Sequence, residues 1–430
     1  MKKILNNDYF LSFISKFFVI FCGFFSLIFL NRYLGVELKG EYSTIINYTS
    51  LFSTIFQFGI SSIYSNYKRK KIENCFEIFL SLSIIQFALY ITVAIILLPF
   101  YTHNFDVIWI VVITIISIFT TQLRYINLVE NIKYNSFVVF LMSIFNCLFT
   151  VALFLLFSRN LYYALIVYII KDITIIIFYF KKIKIKQLFL KEYKKYYIQI
   201  IKDGIFPMLS SLLIMINYKI DIIMLNFYNI SFELIGLYSL GLSISEYLWV
   251  IPDIFKDVVK KRTAKDNSIE TINLSLRISS TMIAIIGIVF AICGKFFLRI
   301  FFGMEYVDSY EISTILLIGV FCMSFYKIIG QLLISDGKSK HYFLILLFGA
   351  IINVIINIVL IPNYNILGAA FASVFSYAII GLIFLIYYIK KYNTKLSELL
   401  FVKNSDLNKV RNLISHYLGG KKYEKRKSNV

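Results

Sequence analysis

With only three histidines and five cysteines in 430 residues, the chain lacks the raw material for several chemistries. His103, His341 and His416 are scattered over expected loops, and no two cysteines have metal-ligand or redox spacing. A metal centre and a nucleophile–histidine pair therefore have no support in the sequence, and no cofactor is expected. Charge is scarce too, at 16% of residues, while 59% are hydrophobic and mean hydropathy is +0.77. That balance excludes a soluble domain and marks an integral membrane protein. No cleavable leader is expected either. The apolar run ending at Leu30 is too long for a signal segment, and no small-x-small site follows it, so it reads as a retained first span.

The apolar runs give about twelve spans, near 10–30, 42–64, 76–99, 107–126, 136–157, 161–180, 204–227, 233–252, 276–300, 311–334, 342–361 and 367–389. Acidic residues are outnumbered, 24 against 44 basic, for a net charge of +20. The surplus is one-sided: with the N-terminus inside, 35 of the 44 Lys and Arg fall in cytoplasmic segments. By the positive-inside rule both termini face the cytoplasm. The basic surplus then reflects topology and contact with anionic membrane lipids, and no nucleic-acid partner is expected. Outward loops, including Asn31–Glu41 and Phe301–Tyr310, are too short to hold a soluble domain.

The main internal break is Lys181–Asp203, with eight lysines among Ile, Leu, Phe and Tyr. It reads as a basic amphipathic linker on the cytoplasmic leaflet. It divides the chain into an N-terminal six-helix lobe (1–180), the linker (181–203), a C-terminal six-helix lobe (204–389) and a basic cytoplasmic tail (390–430). Paired halves of this kind are common in transporters, with the site near the midplane.

Candidate site residues come from polar stripes at helical spacing. A charge in a lipid-facing helix costs roughly 2.5–3.5 kcal/mol on the mildest scale, so such groups turn to protein or to a hydrated cavity. Lys16, Arg124, Lys171 and Lys327 are the candidate anion binders. Asp172, Asp221 and Glu246 are candidate acids, suited to neutralising cavity lysines or carrying a coupling ion. Asn47, Gln57, Asn146, Asn217 and Gln331 are candidate polar contacts. In 204–227, counting back from Asp221 gives Asn217, Ile214 and Ser210, a mostly polar stripe, whereas Lys219 continues an apolar one. Asp221 is therefore expected to face a cavity, and Lys219 is ambiguous because its long stem could snorkel. For stripes of Ser and Thr alone, helix packing is the competing reading.

Several motifs carry a family resemblance. Asn31-Arg32-Tyr33-Leu34-Gly35 with Gly40-Glu41-Tyr42-Ser43 follows the first span. Tyr218 to Leu225 places an acid before Met-Leu. Ile235 to Leu240, Phe301-Phe302-Gly303 with Tyr306, Gly337-Lys338 and Leu367-Gly368-Ala369-Ala370 follow in order. Over about 1–390 this resembles the Wzx-type polysaccharide flippases of the multidrug/oligosaccharidyl-lipid/polysaccharide exporter superfamily, which carry O-antigen and other repeat units. Val36, Asn226 and Gly241 depart from that pattern.

The resemblance implies an all-α membrane protein with two six-helix lobes around a central cavity open alternately to each side. It implies a substrate of oligosaccharide repeat units on undecaprenyl pyrophosphate, flipped across the bacterial cytoplasmic (inner) membrane for O-antigen, lipopolysaccharide or capsule. It further implies H+ or Na+ coupling, partnership with a polysaccharide polymerase and other assembly proteins, and no enzymatic activity. The alternatives are a multidrug or cation antiporter of the same superfamily, which the lysine excess disfavours, and a membrane polymerase or ligase, which the short outward loops disfavour.

Overall fold

In a computed structural model of the chain, residues 8–101, 105–181, 188–263, 269–403 and 406 are described. Among them there is no β-strand, and the helices are α1 (Asp8–Phe56), α2 (Ile60–Arg69), α3 (Cys75–Tyr101), α4 (Phe105–Glu130), α5 (Ile132–Leu156), α6 (Leu161–Lys181), α7 (Lys194–Phe227), α8 (Phe232–Leu248), α9 (Val250–Thr263), α10 (Ile269–Phe301), α11 (Ser309–Ser335) and α12 (Ser339–Tyr392). Ten helical stretches among the described residues are long and apolar enough to cross a membrane. Two of these, in α1 and α12, are each a pair of helices merged across one non-helical residue, Gly35 and Asn365. The chain is thus an all-α multi-pass membrane protein with about twelve spanning helices.

Two expected connections take a different form. Asn31–Glu41 is no loop: the helix continues through it and bends at Gly35, whose φ of 69° is a left-handed conformation that glycine adopts without steric cost. Within the described part of the linker, Lys191–Tyr193 forms a short 3-10 turn, and from Lys194 onward the chain is continuous with the next span as α7. Its apolar spacing lets the helix run on past the basic residues. Residues 182–187, the tail beyond 406 and the side chain of Lys16 lie outside the described residues.

The described residues form two compact units. The first comprises Met1–Gly241, Lys295–Ile312 and Asn353–Ala372. Within it α1 packs against α4, α5 and α7, while α4 also packs against α3 and α6. The bundle is filled by clusters such as Ile45, Ile113, Leu161 and Leu165, and Leu80, Phe119, Leu123, Val138, Met142 and Tyr179. Asn131 caps α5, its side chain accepting a hydrogen bond from the Tyr134 amide at 3.0 Å. At one end of the bundle α1 and α8 touch backbone to backbone: a Cβ on Gly40 would collide with the Phe232 carbonyl oxygen, and one on Gly236 with that of Val36.

The same end carries a reciprocal latch. Arg32 Nε donates to the Phe301 carbonyl at 2.7 Å, and its Nη2 to that of Ile300. Tyr306 Oη returns the contact, bonding the carbonyls of Gly35 at 2.7 Å and Asn31 at 3.1 Å. Each donor thus covers carbonyls that a helix end or bend leaves unpaired. Arg159 and Glu305 add an exposed ion pair at 3.3 Å. Burial pushes the Tyr306 hydroxyl above its ordinary range, so it remains a donor.

The second unit comprises Leu242–Gly294, Ser313–Ile352 and Ser373–Val430. Gly381 of α12 approaches the Cys322 backbone of α11 too closely for a side chain. A buried ion pair, Arg277 Nε to Asp406 Oδ2 at 2.6 Å, ties the segment after α12 to α10. Arg277 also donates to the Glu398 carbonyl at 2.8 Å.

A cationic cavity in the first unit

A cavity of about 470 Å³ opens among α1, α4, α5, α6 and α7 of the first unit. Helical periodicity explains its lining. The second limb of α1 contributes Thr49, Ser50 and Ser53, and α4 contributes Ser117, Thr120, Thr121 and Arg124. From α5 come Ser143 and Asn146; from α6 come Tyr168, Lys171, Asp172 and Tyr179. Such i, i+3, i+4 and i+7 positions share a helix face. Helix α7 places Lys219 against the same space.

The charges do not balance locally. Lys171 is matched: its ammonium lies 3.6 Å from Asp172 Oδ1 and 3.8 Å from the centre of the Tyr168 ring. Asp172, buried, also accepts from Ser117 Oγ at 3.1 Å. Among the described residues Arg124 and Lys219 have no ion-pair or hydrogen-bond partner, which leaves the cavity with three cations against one carboxylate. Thr49, 2% exposed, brings a hydroxyl that also lacks a hydrogen-bond partner. Cations and free donors in a confined polar space suit an anionic, hydroxyl-rich ligand.

Asp221, expected to face a cavity, does not line this one, and Lys219, left ambiguous by its spacing, does. Lys219 lines the cavity, whereas Asp221 is 0% exposed and sits in a side-chain cluster. Its Oδ2 accepts from Tyr238 Oη at 2.8 Å and its Oδ1 from Asn357 Nδ2 at 2.8 Å. The physical reason is that two donors on neighbouring helices satisfy the carboxylate without water. Asn353 and Asn357 extend this cluster; Asn353 Nδ2 and Asn357 Oδ1 are buried without hydrogen-bond partners.

Of the other sequence candidates, Arg124, Asn146, Lys171 and Asp172 line the cavity. Asn47 and Asn217 are buried and bond back to the carbonyls of Ser43 and Leu213, one turn earlier. Gln57 accepts from Ser61 at 3.2 Å. In the second unit, Lys327 pairs with Asp253 at 2.9 Å and lies 4.7 Å from the Trp249 ring. Glu246 and Gln331, half-buried, also belong to that unit. Among the described residues no group of three or more His, Cys, Asp or Glu could hold a metal ion. Sequence reasoning missed Thr49, Tyr168, Asn353 and Asn357. The last two stand at i, i+4 spacing in an otherwise apolar run, a stripe that could have been found.

Solved structures place this architecture in a known class. The chain matches a structure titled Lipid II flippase MurJ, inward closed conformation, with a TM-score of 0.70 and 18% identity, covering 95% of this chain and 92% of that one. It also matches an inward-facing multidrug resistance MATE family transporter of the MOP superfamily, with a TM-score of 0.65 and 13% identity, covering 86% and 93%. The chain therefore has the MurJ- and MATE-like transporter fold. It belongs to the family described as polysaccharide biosynthesis protein, whose model matches residues 5–251. A curated relative, an uncharacterized membrane protein of Methanocaldococcus jannaschii, is 35% identical over 94 residues; the match spans 22% of this chain but only 18% of that relative.

Proposed function

We propose that this protein flips oligosaccharide repeat units linked to undecaprenyl pyrophosphate across the cytoplasmic membrane by alternating access, supplying O-antigen or capsule assembly. The observation that carries this reading is the cavity in which Arg124, Lys171 and Lys219 face Asp172 alone. Carrying a sugar diphosphate through hydrocarbon would strip its charge and hydrogen bonds at a cost of many kcal/mol. The cavity replaces water with fixed partners: cations for the diphosphate, and hydroxyls and Asn146 for the sugars. The prenyl chain stays in lipid. Membership of a polysaccharide biosynthesis family and a structural neighbour named as a lipid II flippase support the same substrate class.

In this reading the lobes are 1–180 and 204–389, both termini are cytoplasmic, and the polymerase and other assembly proteins take the flipped unit outside. The Arg32, Tyr306, Arg159 and Glu305 latch then closes the outer face and must open for release. Asp221 serves as the coupling group for H+ or Na+: a buried carboxylate beside the unpartnered Asn357 Oδ1 gains most from a small cation. The test is transport of a fluorescent undecaprenyl-diphosphate oligosaccharide in proteoliposomes. The reading expects flipping that Lys219→Ala and Arg124→Ala slow; wild-type protein that leaves the lipid in its original leaflet contradicts it.

A further inference from the structure

The second span expected from the sequence, 42–64, is not one helix: α1 stops at Phe56 and α2 starts at Ile60. Between them Phe58 and Gly59 both lie in the left-handed region, with φ of 50° and 64°. Glycine takes that conformation without steric cost, but a bulky residue such as Phe rarely does. Side chains of α3 hold the break open. In a continuous helix the Phe56 carbonyl would accept from the Ile60 amide; here that amide bonds the Gln57 carbonyl at 3.1 Å. The Phe56 carbonyl instead accepts from Gln86 Nε2 and Tyr90 Oη, each at 2.7 Å. Gln86 is held in turn by Gln122 of α4, whose Nε2 donates to Gln86 Oε1 at 2.6 Å. Gln122 Oε1, buried, has no hydrogen-bond partner among the described residues.

These groups have a second arrangement. If Phe58 and Gly59 turn right-handed, the Ile60 amide reaches the Phe56 carbonyl, α1 and α2 join, and the Gln86 amide is released toward Gln122 Oε1. The bent form satisfies Phe56 through α3 but strains Phe58 and leaves Gln122 Oε1 bare; the straight form reverses both. Compensating bonds of this kind make an element bistable instead of merely flexible. What would move is a compact block. Tyr67 Oη of α2 donates to Asp203 Oδ2 of α7 at 2.7 Å, and Ile60, Ile63, Tyr64 and Tyr67 share a buried cluster with Tyr193 and Ile200. Helix α7 has its own weak point at that level. Gly59 and Gly204 meet backbone to backbone, and Pro207 deprives the Asp203 carbonyl of its helical donor. The break also borders the cationic cavity: Ser53, one turn before it, lines that cavity, as do Thr121 and Arg124 on either side of Gln122.

We propose that Gln57–Gly59 is a two-state switch inside the first unit, bent while Gln86 and Tyr90 hold the Phe56 carbonyl and straight when the helix takes that carbonyl back, and that the change swings α2 and the start of α7 beside the cationic cavity. The link to transport rests on the diphosphate reading; the switch itself does not. The test is double electron–electron resonance on full-length protein in nanodiscs, with the native cysteines replaced and no lipid substrate added. Nitroxides at Ser65 on α2 and Lys181 at the end of α6, both exposed, report the swing. A second pair, Ser65 and the exposed Lys195, reports the moving block itself. Gln86→Leu with Tyr90→Phe removes both donors and should raise the straight population about tenfold, seen as a second Ser65–Lys181 distance. Adding Phe58→Gly, which relieves the left-handed strain, should reverse that shift. The Ser65–Lys195 distance should stay fixed throughout. A single unchanged Ser65–Lys181 distance in all these proteins overturns the proposal, even if the variant without donors melts lower, because the break is then a fixed packing feature. A changed Ser65–Lys195 distance overturns it too, since α2 then moves alone. Switching in a protein that flips no diphosphate lipid supports the switch and sinks the diphosphate reading alone.

Discussion

Lys219→Ala removes a cation that lines the cationic cavity and has no ion-pair partner among the described residues. Because nothing in that cavity is left unpaired by its loss, folding should be little affected. The effect should fall on anion binding. A hydrogen bond to a charged group is worth about 1.5–3 kcal/mol. Lys219 is half-buried, so water screens part of this, and the lower end applies: about tenfold in Kd, at 1.4 kcal/mol per factor of ten. Native mass spectrometry of the purified protein with undecaprenyl diphosphate and with uncharged undecaprenol separates charge from chain. The diphosphate lipid should weaken about tenfold while undecaprenol is unchanged, and Lys219→Arg should keep most of the affinity. Equal affinity of Lys219→Ala and wild type for the diphosphate, or an equal loss for undecaprenol, would refute the reasoning.

Other substitutions test different joints of the structure. Lys171→Ala strands the buried Asp172 carboxylate and should cost roughly 1–3 kcal/mol, seen as a lower melting temperature in detergent; adding Asp172→Asn should restore it. Gly40→Ala drives a methyl into the Phe232 carbonyl and should destabilise by about 1–3 kcal/mol, measured the same way. Tyr306→Phe leaves the Asn31 and Gly35 carbonyls without their donor and should raise cysteine labelling at this end of the bundle. Asp221→Asn should leave binding of undecaprenyl diphosphate intact but flatten the dependence of transport on an imposed proton or sodium gradient; a normal dependence would remove Asp221 from coupling.

The spanning helices were legible because a bilayer demands long apolar runs, and those runs are plain in the sequence. The bends were not. Gly35 sits in a stretch whose polarity reads as a loop, yet Tyr306, from a distant part of the chain, donates to the Gly35 carbonyl, while Arg32 beside it reaches out to the Phe301 carbonyl. The cationic cavity was half legible: Arg124, Lys171 and Asp172 stand out as charges inside spans. Lys219 and Asp221 show the limit. Spacing at about 100° per residue separates their faces, but it does not say which face meets water and which meets a neighbour. That depended on Tyr238 and Asn357, which the stripe on α7 does not reveal.

Whether the cavity among α1, α4, α5, α6 and α7 is a hydrated, positively charged passage is open to direct chemical measurement. A variant with Cys22, Cys75, Cys147, Cys293 and Cys322 replaced would carry one new cysteine at Ser143, a residue of the cavity wall. Its labelling rates with anionic and cationic methanethiosulfonates of similar size would be compared. The account requires labelling by both, faster for the anion, with protection by undecaprenyl diphosphate. No labelling, or faster reaction with the cation, would contradict it.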